Sequence, residues 1–102
     1  MPLDNVTVCK QETDNLLIIR INSNFDVETA SQFKRAFQAE KLQHYIIDFK
    51  GCSGMDSTGI GLLLSMRNYV GPEAKIEIIN CQPPILKLLK LTRLEQKFEI
   101  LE

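Results

Sequence analysis

A single histidine, His44, and three cysteines, Cys9, Cys52 and Cys81, are the only side chains of their kinds in the 102 residues. The cysteines are odd in number, form no C-x-x-C pair and have no histidine pair nearby, which argues against a disulfide scaffold and a zinc site. His44 is the one base a serine–histidine–aspartate arrangement could use. It precedes an apolar strand whose far end leads to the hydroxyl-rich segment, so it sits at the wrong edge of the sheet by roughly 15 Å or more. The nucleophile elbow G-x-S-x-G and the phosphate loop GxxxxGK[ST] are both missing. Gly59-x-Gly61 lacks the third glycine of a dinucleotide loop. With no base beside the hydroxyls, the expectation is a protein that is not an enzyme and holds no metal or cofactor.

An excess of charge is also missing. The formal net charge of −1 offers no global attraction to nucleic acid or to anionic membranes. Lys87, Lys90, Arg93 and Lys97 form a mild basic cluster, read as a solvated helix face or, more sharply, as a local patch. No apolar run approaches the length of about 18 residues that spans a bilayer. The run around Leu62–Leu64 is broken by Ser65 and Arg67. The N-terminal MPLDNVTV is not a signal peptide, lacking a basic region followed by a long apolar core. A cytoplasmic location is expected, with no membrane insertion.

What is present suits one α/β domain over residues 1–102: 44% hydrophobic and 25% charged residues, enough for a single core. Val6 to Gln11 alternates and reads as an edge strand. Leu16 to Ile21 reads as a more buried one, and the turn signal over residues 12–15 joins the two as an antiparallel hairpin. Asn22, Ser23 and Asn24 break the second strand. Asp26 then caps a helix from Val27 to about Glu40, with Val27, Ala30, Phe33 and Phe37 as its apolar face. Further strands are expected at Tyr45 to Phe49, Lys75 to Ile79 and Phe98 to Ile100. Further helices are expected after the Asp56-Ser57-Thr58 start, stopped by Gly71-Pro72, and from Pro83-Pro84. The order β-β-α-β-α-β-α-β implies right-handed crossovers and a small, mostly parallel sheet with helices packed against it.

The chain is organised around residues 44–70. An apolar strand with Asp48 near its end leads through Gly51-Cys52-Ser53-Gly54 to Met55-Asp56-Ser57-Thr58 at a helix start. In an open α/β sheet, ligands bind in the crevice outside the carboxyl ends of the strands. A helix N-terminus also favours an anion through its dipole and free N–H groups. Ser57 or Thr58 can therefore serve as a cap, as a phosphate acceptor, or as both. Met55 has two placements open to it, exposed as an adaptable contact or tucked under the helix. Cys52 is read as an ordinary loop thiol, with a redox role as the alternative.

The segment from Asp48 through Met55-Asp56-Ser57-Thr58-Gly59-Ile60-Gly61-Leu62-Leu63 resembles the signature of the STAS domain family, the bacterial anti-sigma factor antagonists. Phe25, Asp26, Thr29 and Ala30 also resemble that family's first helix start, although the family usually has glycine where this chain has Ser23. The resemblance implies the same fold, with a further C-terminal helix that this sequence, ending at Glu102, does not contain. It implies a domain that, unphosphorylated, binds an anti-sigma factor serine/threonine kinase and so releases a sigma factor. The kinase phosphorylates the antagonist and a phosphatase resets it. The implied acceptor is Thr58, with Ser57 as the alternative. The implied partner surface is Asn24, Phe25, Gly54, Met55, Asp56, Ser57, Thr58 and Gly59, on a monomer or weak dimer. The alternative is a docking subunit of another signalling or membrane-transport complex, without phosphorylation.

Overall fold

The structure, a computed structural model, describes residues 5–11 and 15–101. Its elements are β1 (Val6–Gln11), β2 (Leu16–Ile21), α1 (Ala30–Gln38), β3 (His44–Asp48), α2 (Ser57–Val70), β4 (Lys75–Ile79), α3 (Pro83–Leu91) and β5 (Glu99–Ile100). Short 3-10 turns precede α1 at Val27–Thr29 and follow α3 at Leu94–Gln96. This is the expected element order. The strand expected at Tyr45 to Phe49 is shifted one residue earlier at both ends, and Phe98, expected in the last strand, precedes it. The turn expected over 12–15 lies, apart from Asn15, outside the described residues.

The five strands lie in the sheet in the order of the chain, β1-β2-β3-β4-β5. β1 pairs antiparallel with β2, and every later pair is parallel. A strand order that always steps the same way, joined by right-handed crossovers, puts every crossover helix on one face. The registers show this face directly. Leu17 sits beside Tyr45, which sits beside Ile76, and Ile19, Ile47 and Ile78 form the next row. These residues share one core with Phe33 and Phe37 of α1, Leu62, Leu63 and Met66 of α2, and Ile85 and Leu89 of α3.

All five phenylalanines are buried. Phe25 lies edge-on to Phe33 at 4.9 Å and to Phe49 at 5.3 Å, so the aromatic cluster joins α1 to the end of β3. Burying each such ring contributes about 2–3 kcal/mol. Among the described residues, the opposite face of the sheet carries no helix. Half-buried Ile18 and Ile46 are adjacent there, bordered by the pairs His44–Glu77, Arg20–Asp48 and Lys75–Glu99.

The start of the first helix differs from expectation. Val27, expected on the apolar face, is 70% exposed. The cause is a capping box: Asp26 Oδ1 accepts from Glu28 N at 3.0 Å, and Thr29 Oγ1 accepts from Asp26 N at 3.1 Å. Thr29 is thereby buried, and the tight 3-10 turn rotates Val27 outward.

Candidate functional site at the start of helix α2

Asp48 ends β3, and the chain must turn sharply before α2 begins. Asp48 braces that turn. Its Oδ1 accepts from Lys50 N and from Asn80 Nδ2, both at 2.9 Å, and its Oδ2 lies 3.6 Å from Arg20 Nε. Asn80 serves from the end of β4 in the left-handed region, with φ of 61°. The brace is satisfied within the molecule and leaves Asp48 largely buried, so it shapes the loop rather than facing a partner.

Two helix starts are stitched together beyond it. Phe25 N donates to Gly54 O at 2.9 Å, and Phe25 and Met55 form a parallel bridge. Ser53 Oγ donates to Asn24 Oδ1 at 3.1 Å. The approach is close enough to require glycine at position 59, where a Cβ would stand 2.5 Å from the carbonyl oxygen of Phe25. The entrance to α1, capped by Asp26, therefore lies beside the entrance to α2.

Asp56 caps α2. Its Oδ1 accepts from Thr58 N at 2.9 Å and from Gly59 N at 3.2 Å. The carboxylate does the work that either hydroxyl could have done. Ser57 and Thr58 occupy the first turn, both exposed, and among the described residues neither hydroxyl has a hydrogen-bond partner.

Of the eight expected surface residues, Asn24, Asp56, Ser57 and Thr58 are exposed, and Gly54 and Met55 are half-buried. Phe25 and Gly59 are not surface residues. Phe25 has no exposed area and belongs to the aromatic cluster, and Gly59 is buried against it. A rigid partner surface cannot touch the Phe25 ring; its role is to hold the two helix starts together. Met55 is partly tucked under α2 and partly open. Val27, which the sequence placed in the core, adds an exposed apolar side chain next to the Asp26 cap.

Cys52 is buried, its Sγ donating to Gly54 O at 3.2 Å, and burial pushes its thiol up from the ordinary value. A raised thiol is a poor nucleophile at neutral pH, in keeping with a structural role. His44 opens β3 and contacts Glu77 on the open face of the sheet, whereas Thr58 follows the far end of β3. Among the described residues no group of histidine, cysteine or carboxylate side chains is arranged to hold a metal ion. No described helix is long and apolar enough to cross a membrane.

The family model for the STAS domain matches residues 7–102. The chain belongs to the STAS domain family. A STAS-domain containing protein of Pseudomonas aeruginosa is 32% identical over 87 residues, covering 82% of this chain and 86% of that protein. An anti-sigma F factor antagonist of Paenibacillus polymyxa is 23% identical over 95 residues, covering 88% of this chain and 81% of that one. Among solved structures, the anti-sigma factor antagonist SpoIIAA in its unphosphorylated form matches with a TM-score of 0.75 at 18% identity, covering 95% of this chain and 87% of that one. Bacillus SpoIIAA in the phosphorylated form matches with a TM-score of 0.68 at 20% identity, over 95% and 91% of the two chains. At this identity the structural likeness establishes the STAS fold. Ser23, where the resemblance leads to the expectation of glycine, has no positive φ.

Proposed function

We propose that this STAS domain is an anti-sigma factor antagonist whose partner binding is switched by phosphorylation of Thr58. The observation that carries the reading is the division of labour at the α2 start. Asp56 alone satisfies the free N–H groups, and the Thr58 hydroxyl is left exposed and unpaired among the described residues. A kinase can reach it without unfolding the helix. The transfer moves the γ-phosphoryl group of ATP to Thr58 Oγ1, releasing ADP and the hydroxyl proton. The product carries about −1.5 to −2 charges at neutral pH. The helix dipole tolerates that charge in place, so the fold persists. A partner docked over Asn24, Val27, Met55, Asp56 and Thr58 does not tolerate it, because a desolvated unpaired charge costs several kcal/mol.

The unmodified domain binds an anti-sigma factor that is itself a serine/threonine kinase and so frees the sigma factor; a phosphatase restores the unmodified form. The domain catalyses nothing itself and works in the cytoplasm. Support comes from the similarity to an anti-sigma F factor antagonist and to SpoIIAA, which has been solved in unphosphorylated and phosphorylated forms. The test is intact-mass and fragmentation analysis of the protein recovered from its own cells. One added phosphate on Thr58, absent from Thr58→Ala, is expected. A phosphate on Ser57 moves the acceptor by one residue. No phosphate under any growth condition overturns the switch and leaves an unmodified docking subunit.

A further inference from the structure

We infer that the trough between the edge strand β1 and helix α1 is a binding site for a medium-chain aliphatic carboxylate. This does not rest on the Thr58 switch. The registers place Val8 beside Ile19, Ile19 beside Ile47 and Ile47 beside Ile78, in one row on the helix-covered face of the sheet. The three isoleucines have no exposed area, yet Val8 is 54% exposed. The row is unfinished at its last position because the apolar groups offered from the helix side are small: Ala36 and, just past the end of α1, Ala39. What remains is a hollow of about 520 Å³ floored by Val6, Val8 and Leu17. Small-molecule sites have volumes of about 300–1,000 Å³. An aliphatic chain laid along β1 completes the row and removes Val8 from water. The four steps from Val6 to Lys10 span about 14 Å, the length of a medium-chain alkyl group.

The polar groups that line the trough select the head group. Gln32 is occupied, its Oε1 accepting from Val6 N at 3.0 Å, and Glu40 is held by Lys10 at 2.6 Å. Arg35 is left. Among the described residues its guanidinium has no hydrogen bond and no ion pair. The positions three and four residues away along the helix are Ser31, Gln32, Gln38 and Ala39, none of them a carboxylate. Asp4 and Glu12, which flank β1 in the chain, lie outside the described residues. An unpaired guanidinium beside an apolar trough selects a planar anion that its fork can hold through two hydrogen bonds, and a carboxylate has that geometry. A phosphate monoester brings a second negative charge close to Glu40. An added strand, or a second copy pairing through β1, is disfavoured, because Gln32 already holds the outward N–H of Val6 and the Lys10–Glu40 pair stands at the other end.

The experiment titrates the full chain, labelled with nitrogen-15, with sodium decanoate below its micellar concentration. Amide shifts centred on Val6 to Lys10 and on Gln32 to Ala39 are expected. Arg35→Gln, a change at an exposed side chain that leaves the core alone, is expected to weaken binding about tenfold or more. Decylammonium, the same chain with a cationic head, is expected to bind the unaltered protein more weakly than decanoate by a similar factor. Ala36→Leu fills the trough and is expected to abolish the shifts. Thr58→Ala binds decanoate as the unaltered chain does. Shifts centred elsewhere, no shifts at all, equal affinity for decanoate and decylammonium, or an affinity unmoved by Arg35→Gln overturns the inference. So does a concentration-dependent dimer with its contact shifts on β1, which gives the trough to a second copy.

Discussion

The carboxylate of Asp56 and the hydroxyl of Thr58 sit two residues apart with different fates. Asp56 is consumed by its own helix, accepting from two N–H groups, and Thr58 faces water. The two substitutions therefore separate. Asp56→Ala removes the cap and is expected to lower stability by about 1 kcal/mol in urea unfolding. Thr58→Ala removes an exposed side chain without partners among the described residues and is expected to change stability by less than about 0.5 kcal/mol. Equal losses for the two would mean that the threonine hydroxyl shares the capping role. Gly59 sets the limit on change at this site, since any Cβ there meets the Phe25 carbonyl oxygen.

Among the elements, α2 is held at both ends by polar contacts. At its C-terminal end Arg67 reaches three carbonyl oxygens on different segments. Nη1 donates to Gly71 O at 3.0 Å and to Ala74 O at 2.7 Å, and Nε donates to Lys97 O at 3.0 Å. The guanidinium also lies over the Phe98 ring at 5.3 Å. Arg67 thus ties the end of α2 to the chain entering β4 and to the chain entering β5. Arg67→Ala is expected to cost about 2–3 kcal/mol in urea unfolding, as loss of charge-assisted hydrogen bonds to partly buried carbonyls does. Arg67→Lys is expected to recover less than half, because a single ammonium cannot reproduce the fork. Full recovery by lysine would reduce the staple to a point charge.

The strand and helix alternation was legible because the periods of 2 and 3.6 are written plainly in Val6–Gln11 and in the segment after Asp56. The signature around Thr58 was legible as a helix start following a glycine loop. Three features were not. Val27 has the helical spacing to Ala30 and Phe37, so its periodicity places it on the apolar face; the Asp26-x-x-Thr29 capping box, also in the sequence, is the signal that the first turn is tighter. Phe25 stands next to the signature surface in the sequence yet turns inward, as a phenylalanine between polar residues more often does. Arg67 shares helical spacing with Ile60 and Leu64, and nothing local reveals that Gly71, Ala74 and Lys97 bring three carbonyls to it.

At the scale of the molecule, the placement of every helix on one side leaves two kinds of exposed boundary. The open face of the sheet is guarded by charge pairs around Ile18 and Ile46. The free edge of β1 is guarded by Gln32, whose Oε1 accepts from Val6 N at 3.0 Å, and by the Lys10–Glu40 pair at 2.6 Å. Such groups discourage edge-to-edge association. Global stability also has an alkaline limit. Burial, with a smaller contribution from Cys52, pushes the Cys81 thiol up from its ordinary 9.0 to about 11. Burial raises Cys52 and Tyr45 as well. These groups stay neutral in the folded state while their unfolded counterparts ionise. Their contribution is complete below pH 9 and is lost as pH rises from 9 towards 11. The urea midpoint is expected to fall across that window, less steeply in Cys81→Ala; an identical slope would remove Cys81 as a cause.

The coincidence of strand order in space with strand order in the chain has a consequence for synthesis. Each strand leaving the ribosome finds its one neighbour already made, and no strand has to be inserted between two that have closed. The sheet can grow from one edge, each crossover helix covering the rows just laid down. The sequence separation between paired strands never exceeds one connection.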